Sequence, residues 1–94
     1  MRLARLSFNR SVLFYAGGIS KYLFLEMLAA LPNDAKIIGM GEDQTRATCH
    51  LFVTSSSFKE MGEIAIPNDI IAYFKREQDG SSRFEKLDMS EALV

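Results

Sequence analysis

The most unusual hydrophobic pattern in this chain is a helix-length run with almost no polar face. Residues 21–31 contain two charged side chains, Lys21 and Glu26, and the other nine positions are tyrosine, leucine, phenylalanine, methionine or alanine. A helix on the surface of a small protein normally turns a polar stripe toward water. We therefore predict a helix that is covered by a sheet on one side and by a second subunit or a partner on another.

Residues at both ends of this run set the limits of the predicted helix. Gly17 and Gly18 break the chain before it, and Ser20 can cap its first turn because a serine hydroxyl accepts from free backbone amides. Pro32 ends it, since the residue before a proline is disfavoured in the α conformation. The prediction is a helix over residues 21–31.

Period-two alternation predicts strands on both sides of the helix. Residues 3–8 alternate before it, and the clearest pattern after it covers residues 45–54. In this second stretch one face would hold Ala47, Cys49, Leu51 and Val53, and the other Arg46, Thr48, His50, Phe52 and Thr54. Further strands are predicted over residues 36–40, 70–76 and 83–87, the last two as a hairpin. The pattern leaves residues 12–16 open, as a strand or as an irregular lead into the helix.

These elements predict an α+β protein, with one apolar helix packed on a mostly antiparallel sheet of four to five strands in β-α-β-β-β order. Residues 1–88 are predicted to form a single compact domain, and residues 89–94 to be a frayed C-terminal tail. The predicted core consists of Leu6, Phe8, Leu23, Phe24, Met27, Leu28, Leu31, Ile38, Cys49, Leu51 and Val53.

This packing leaves two parts of the predicted fold without cover. The far flank of the helix presents Tyr22, Leu25 and Ala29, and the outer face of the sheet presents Phe52. A chain of this size buries only about 60–65% of the surface that its unfolded form exposes. We therefore predict a homo-oligomer whose interface contains these four residues.

Composition limits the class of protein without indicating a function. The net charge of −1 gives no long-range attraction to nucleic acid or to an acidic membrane. No apolar stretch reaches the roughly 18 residues that a membrane span needs. Cys49 is the only cysteine, which fits a reducing compartment. We predict a cytoplasmic protein that does not bind membranes, and the composition does not favour nucleic-acid binding.

The stretch around the glycine pair is the best candidate for a binding site. Two glycines at a helix start let backbone amides converge on an anion, and the helix dipole favours negative charge there. The predicted ligand-binding residues are Gly17, Gly18, Ser20, Lys21, Arg10 and His50. A small anionic ligand such as a nucleotide would fit. The alternative is a flexible turn with an ordinary helix cap, because the stretch matches neither a P-loop nor a dinucleotide fingerprint.

No pattern in the sequence indicates catalysis, a metal ion or a cofactor. Cys49 and His50 are neighbours on a predicted strand, so their side chains face opposite ways and cannot act as nucleophile and base. Glu42, Asp43 and Gln44 offer too few oxygen donors for a tight cation site. We therefore predict a non-enzymatic protein with no catalytic residues, metal site or cofactor. A small enzyme acting on a nucleotide or a sugar is the alternative.

Three stretches of the chain resemble, in style, small orphan proteins of bacteriophages and prophages. They are residues 31–39, residues 53–58 and the pair Ile66-Pro67, together 17 of the 94 residues, whereas the C-terminal hairpin and acidic tail depart from that pattern. The resemblance implies an accessory factor in the host cytoplasm that inhibits or sequesters a host component. Such a protein would act as an oligomeric sponge for a nucleotide or as an inhibitor that blocks a host protein. The resemblance assigns no role to any residue.

Overall fold

The computed structural model describes residues 2–10, 20–61, 67–78 and 82–94. Within these residues the elements are β1 (Leu3–Asn9), α1 (Ser20–Ala29), β2 (Lys36–Asp43), β3 (Thr48–Thr54), β4 (Asn68–Arg76) and β5 (Ser82–Asp88). The predicted α+β class is confirmed. The described part of the chain has four strands after the helix, at the four ranges predicted from the pattern, whereas the order β-α-β-β-β contains three. Residues 12–16, which the sequence left open, lie outside the described residues.

The strands of the described residues form one mixed sheet in the spatial order β2-β3-β1-β4-β5. The central strand, β1, pairs antiparallel with β3 and parallel with β4. The outer pairs, β2 with β3 and β4 with β5, are antiparallel. Because β1 and β2 both run opposite to β3, they are parallel to each other, and α1 lies between them in sequence as in a split β-α-β unit.

One face of the sheet carries the core. In the register between the two central antiparallel strands, Leu6 lies opposite Leu51 and Phe8 opposite Cys49, and all four side chains are buried. The alternation predicted for β3 is therefore correct. Other buried members are Ala4, Leu23, Met27, Leu31, Val53, Phe58, Ile70 and Ala92. Burying a large apolar side chain contributes about 1.5–3 kcal/mol, so this face accounts for much of the stability.

The helix covers this face unevenly. It presents Leu23 and Met27 to the core, and among the strands its backbone contacts β5 most extensively. Partly buried side chains pack against the core on this side of the sheet, namely Ala72, Phe74, Phe84 and Leu87. Ile37 and Met40 of β2 point to the same face but stay exposed. No helix among the described residues is long and apolar enough to cross a bilayer.

Ile38 was predicted to belong to the core and does not. It is 54% exposed and lies at a bulge in β2, where the register with β3 shifts between Ile37 and Gly39. A bulge inserts an extra residue that has no partner on the neighbouring strand, so the alternation of faces is interrupted there. The short apolar run around Ile38 could not indicate this interruption.

The C-terminal segment, predicted to fray, is held against the rest of the protein. Lys59 donates its backbone N–H to the carbonyl of Ala92 at 2.7 Å, and Val94 donates to the carbonyl of Ser57 at 3.0 Å. Ala92 and Phe58 are both fully buried. The segment covers Phe58, a contact between residues more than thirty positions apart that no local pattern reveals.

The hairpin between β2 and β3 turns later than predicted. The strands predicted over residues 36–40 and 45–54 leave residues 41–44 for the turn, whereas β2 continues to Asp43 and the turn covers residues 44–47. Asp43 Oδ1 accepts the backbone N–H groups of Thr45 (3.0 Å) and Arg46 (3.3 Å), and Ala47 takes a positive φ of 51°. An aspartate that accepts from the amides of the next residues favours a turn at its own position.

Candidate functional site

The face of the sheet opposite the helix, here called the open face, contains a polar depression. Its volume is about 350 Å³, and it is lined by Arg5, Ser7, Asp43, Arg46, Thr48, His50, Asp69, Ile70 and Ile71. Three central strands and the tip of the β2–β3 hairpin contribute to it. Alternation along β1 sends Arg5 and Ser7 to this face because Ala4, Leu6 and Phe8 point into the core.

A serine and a histidine meet at the centre of the depression. Ser7 and His50 are direct partners across the antiparallel β1–β3 pair, and Ser7 Oγ lies 2.7 Å from His50 Nδ1. Either the hydroxyl donates to Nδ1 or, in the other tautomer, Nδ1–H donates to the hydroxyl. This bond leaves Nε2 for a ligand, as a donor in the first case and as an acceptor in the second.

An ion pair borders the serine and histidine on the side of β4. Arg5 and Asp69 are partners across the parallel β1–β4 pair, and Arg5 Nε donates to Asp69 Oδ1 at 2.9 Å. The contact uses one of the five guanidinium N–H groups. Both side chains keep about a third of their surface or more exposed, so the pair itself adds little stability. The remaining donors of Arg5 are available to a bound molecule.

The hairpin tip supplies a second cation. The Arg46 side chain is 83% exposed, and its Nε is 4.0 Å from Asp43 Oδ2, which is a weak ion pair. The other carboxylate oxygen of Asp43 already accepts two backbone N–H groups. The Thr48 hydroxyl donates to the carbonyl of Arg46 at 3.1 Å and keeps the turn closed. Arg46 is therefore the most available positive charge at this site.

The depression combines a polar centre with an apolar border. Ile71 lies beside Ser7 across the β1–β4 pair and is 46% exposed. Two arginines, a hydroxyl and an imidazole therefore surround a surface on which an apolar ring could rest. This combination suits a small ligand with an anionic group, hydrogen-bonding edges and a flat apolar part.

The structure separates two residues that the sequence analysis grouped in one site. Arg10 Nη1 donates to Glu42 Oε1 at 2.5 Å, and Glu42 lies opposite Cys49, whose side chain is buried on the core face. His50 points to the open face. Neighbouring positions on a strand face opposite ways, so His50 and Glu42, the partner of Arg10, lie on opposite faces of the sheet. A ligand shared by Arg10 and His50 stays a prediction.

The other predicted ligand-binding residues are not tested by the geometry. Gly17 and Gly18 lie outside the described residues, and so do the side chains of Ser20 and Lys21, although helix α1 begins at Ser20. The glycine-pair site therefore stays a prediction. The helix ends at Ala29, two residues before the predicted limit.

The predicted interface residues fall into two groups. Leu25 is 53% exposed and Ala29 is also exposed, while the side chain of Tyr22 lies outside the described residues. Phe52 was predicted to lack cover, but it is half-buried within its own chain. Its ring lies across two glycines of β2: a Cβ built on Gly39 would be 3.6 Å from Phe52 Cδ2, and one built on Gly41 would be 3.7 Å from Cε2. The two glycines give the ring its space.

A second polar cluster is structural. Asp34 accepts the Ser55 hydroxyl at 2.5 Å, the Ser56 hydroxyl at 2.5 Å and the Ser56 backbone N–H at 2.9 Å. These hydrogen bonds, that of the Ser55 side chain first, lower the pKa of Asp34 from 3.8 to about 2. The cluster ties the turn before β2 to the loop after β3, and its carboxylate is occupied by these hydrogen bonds.

The remaining candidates for chemistry are structural as well. Cys49 is buried, and burial raises the pKa of its thiol, with Glu42 adding to the effect. The thiol is therefore not activated. Among the described residues, no three histidine, cysteine, aspartate or glutamate side chains are placed to hold a metal ion.

Sequence reasoning missed Arg5, Ser7 and Asp69 as members of the site. Alternation did place Arg5 and Ser7 on a polar face of one strand, and Arg46 and His50 on the polar face of another. What it could not supply was the pairing of β1 with both β3 and β4, which brings the three strands together. The parallel β1–β4 pair joins residues more than sixty positions apart.

Comparisons with known proteins add no further information about the site. No protein-family model, curated protein or solved structure matches this chain. The function has to be argued from the site itself.

Proposed function

We propose that this protein is a non-enzymatic binding protein that captures a small anionic ligand, such as a nucleotide, in the depression on the open face. The observation that carries the proposal is the convergence of Arg5, Ser7, His50 and Arg46 around one cavity of about 350 Å³. Small-molecule sites are concave and combine apolar walls with a few polar groups that fix orientation.

The positions of the charges indicate how such a ligand would lie. Arg46, at the rim, would hold a phosphate, because its guanidinium is exposed and only weakly paired with Asp43. Ser7 and His50 would take hydrogen bonds from the base or the sugar. Ile71, next to them, would support an apolar ring face. Asp69 keeps Arg5 oriented and limits the total positive charge, so a singly or doubly charged ligand fits better than a polyanion.

Calorimetry with defined nucleotides tests the proposal. Nucleoside mono- and triphosphates, cyclic dinucleotides and inorganic phosphate would each be titrated into the wild-type protein. Arg46→Glu should weaken binding at least tenfold, because a charge-assisted hydrogen bond contributes about 1.5–3 kcal/mol and 1.4 kcal/mol corresponds to a factor of ten. Ser7→Ala and His50→Ala should weaken binding by a smaller factor.

Two control variants make this test specific. Arg83→Glu removes an exposed arginine from the other edge of the sheet, where it pairs with Glu77 at 3.2 Å, and should leave binding unchanged. Lys21→Glu examines the glycine-pair site predicted from the sequence. If Lys21→Glu abolishes binding and Arg46→Glu does not, the ligand binds at the glycine pair and not in the depression. Absence of heat and of a melting-temperature shift with every nucleotide would reject ligand capture.

The biological setting forms part of the same proposal. We infer that the protein is a phage or prophage accessory factor, in the host cytoplasm, that sequesters a nucleotide signal. The support is the resemblance in residues 31–39 and 53–58 together with the nucleotide-sized depression. Native mass spectrometry of protein purified gently from lysate discriminates two versions. A retained small mass supports the sponge, whereas a retained polypeptide supports an inhibitor that blocks a host protein.

The Ser7–His50 contact favours one alternative function, a small hydrolase. A serine hydroxyl 2.7 Å from a histidine nitrogen is within the distance at which a base can activate a nucleophile. However, a serine–histidine pair of this kind needs a third residue that orients the histidine. Asp69 is engaged with Arg5, and no other described residue orients His50. A phosphate-release assay with nucleotides tests this alternative. Activity that is lost in both Ser7→Ala and His50→Ala but kept in Arg83→Glu would establish the hydrolase.

A further inference from the structure

The free edge of β2 is the least protected surface in the described part of the chain. Residues 37–41 contain no charged side chain, and β2 forms one outer edge of the sheet. No strand of residues 2–10, 20–61, 67–78 or 82–94 lies beside its outward-facing backbone groups. Such an edge pairs readily with another strand unless charges, proline or a covering segment prevent it.

The helix cannot protect this edge because the sheet is wider than the helix. Five strands spaced about 4.8 Å apart extend over roughly 19 Å, whereas a helix with its side chains is about 10–12 Å across. Helix α1 lies toward β5, and a groove of about 390 Å³ separates its C-terminal end from Ile37. Met40, on the same face, is 68% exposed.

The registers indicate which strand would fit this edge. Relative to β3, Ile38 is the extra residue of the bulge, so the paired positions of β2 are Lys36, Ile37, Gly39, Met40, Gly41, Glu42 and Asp43. Met40 is the middle one of these positions. An antiparallel copy of β2 centred on Met40 therefore matches every residue with one on the same face of the sheet.

We propose that two copies of this chain pair through their β2 edges, antiparallel and around a twofold axis at Met40, to form one continuous sheet. In this register Met40 faces Met40 of the second copy on the helix side, and Gly39 faces Gly41 on the open face. An isologous contact of this kind closes at two copies. The proposal does not depend on ligand capture, since Asp43 is the one residue of β2 that also lines the depression.

Charge complementarity selects a second copy over another partner. The strand begins with a cation, Lys36, and ends with an anion, Asp43, and both point to the open face. Pairing around Met40 brings each Lys36 opposite the other copy's Asp43, which gives two symmetric ion pairs. Asp43 Oδ2 has only a 4.0 Å contact with Arg46 and is available for this role.

The remaining charge on β2 is already compensated inside its own chain. Glu42 accepts from Arg10 at 2.5 Å. In the proposed register Ile37 lies opposite Glu42 of the second copy, and the compensated carboxylate tolerates an apolar neighbour better than a free one would. No like charges face each other anywhere along the paired strands.

Light scattering after size exclusion tests the proposal with the full chain. The wild-type protein should elute at twice the chain mass of 10.6 kDa at micromolar concentration. Met40→Lys should be monomeric, because two lysines would face each other at the axis. Since Met40 is mostly exposed, its replacement should leave the circular dichroism spectrum and the melting temperature of the monomer unchanged.

Two further variants distinguish this interface from others. Leu25→Lys replaces a comparably exposed leucine on the helix and should remain dimeric. Lys36→Glu should weaken the dimer by about tenfold, because two exposed ion pairs become repulsive. A wild-type monomer, or a dimer that Leu25→Lys dissociates and Met40→Lys does not, would overturn the proposal.

Discussion

The two edges of the sheet are composed of opposite kinds of residue. On one edge, β2 has an uncharged centre over residues 37–41, with Ile38 and Met40 exposed. On the other edge, β5 carries Arg83, Glu85 and Lys86, all exposed. Charged side chains on an edge strand discourage pairing with another chain. The molecule therefore protects one edge and leaves the other able to pair.

The two edge strands also differ in how far the rest of the chain covers them. Phe84 and Leu87 of β5 pack against the core beneath the helix, and Phe84 contacts Phe74 edge-to-face at a centroid distance of 5.8 Å. Lys86 lies 5.4 Å from the centre of the Tyr73 ring. On β2, by contrast, Ile37 and Met40 face the helix side without cover. One short helix can cover about half of a five-strand sheet, and it covers the charged edge.

The largest expected effect is on the yield of a disulfide-linked dimer, which should differ between a cysteine at the proposed twofold axis and a cysteine elsewhere on β2. Directly opposed residues of antiparallel strands have Cα atoms about 4.5–5.5 Å apart, which a disulfide can bridge. Met40→Cys should therefore convert almost completely to a covalent dimer under mild oxidation. Non-reducing electrophoresis measures the product. Ile38→Cys, at a position that is also exposed but has no opposite residue, should form far less covalent dimer. Equal cross-linking of both variants would contradict the register.

Replacing Met27 or Met40 by alanine compares the free energy of unfolding that is lost at a covered position with that lost at an uncovered one. Met27 is fully buried beneath the helix, so Met27→Ala should lower the free energy of unfolding by about 2–5 kcal/mol. Met40→Ala should change monomer stability by less than about 0.5 kcal/mol. Urea denaturation of both variants in the Lys36→Glu background, at a concentration where light scattering shows a monomer, measures the difference. Similar losses in both would show that β2 is covered in solution.

Removing the central charges of β5 should make this edge able to pair with another chain, as proposed for β2. Glu85→Val combined with Lys86→Val leaves residues 84–87 without a charged side chain, as residues 37–41 are in β2, so the protein should form species larger than a dimer. Light scattering across a concentration series measures the growth. Because Lys86 contacts Tyr73, the single variant Glu85→Val serves as the control that keeps this contact. If the double variant stays dimeric, charge is not what protects β5.

The smallest expected effect concerns Asp34, whose hydrogen bonds tie the turn before β2 to the loop after β3. The pKa of Asp34 is about 2 in the folded protein, below its ordinary 3.8, because Ser55 and Ser56 donate to its carboxylate. A lowered folded-state pKa stabilises the protein above the unfolded pKa, and the contribution is lost as pH falls from about 4 toward 2. Asp34→Asn should therefore melt below the wild type at neutral pH, and the gap should narrow below pH 4. Thermal melts across this range measure the gap, and a gap independent of pH would contradict the assignment.

The fold illustrates which kinds of pattern a sequence can carry. Alternation in β3 identified Cys49, Leu51 and Val53 as buried, because side chains on a strand alternate whatever the neighbouring strand is. The exposure of Ile38 was not predictable in this way, since the bulge results from how β2 pairs with β3. The buried Ala92 was also missed, because its environment is formed by Phe58 from a distant part of the chain.

The candidate site shows the same limit. Arg5, Ser7, Arg46 and His50 stand on polar faces that the sequence alone indicates. Their assembly depends on the strand order, in which β1 is central and pairs with β3 and β4 at once. The structure places Arg10 beside Glu42 and His50 on the open face, a separation that depends on how β2 pairs with β3.

The amino-acid sequence by itself determined the α+β class, the apolar helix and the alternating faces of the strands, because these depend on residue type and on the local periods of helix and strand. The tertiary structure alone decided the strand order, the docking of the C-terminal segment, the polar depression and the uncovered edge of β2. Each of these depends on contacts between distant segments, whose free energy comes from burying a shared surface and not from any single stretch of chain.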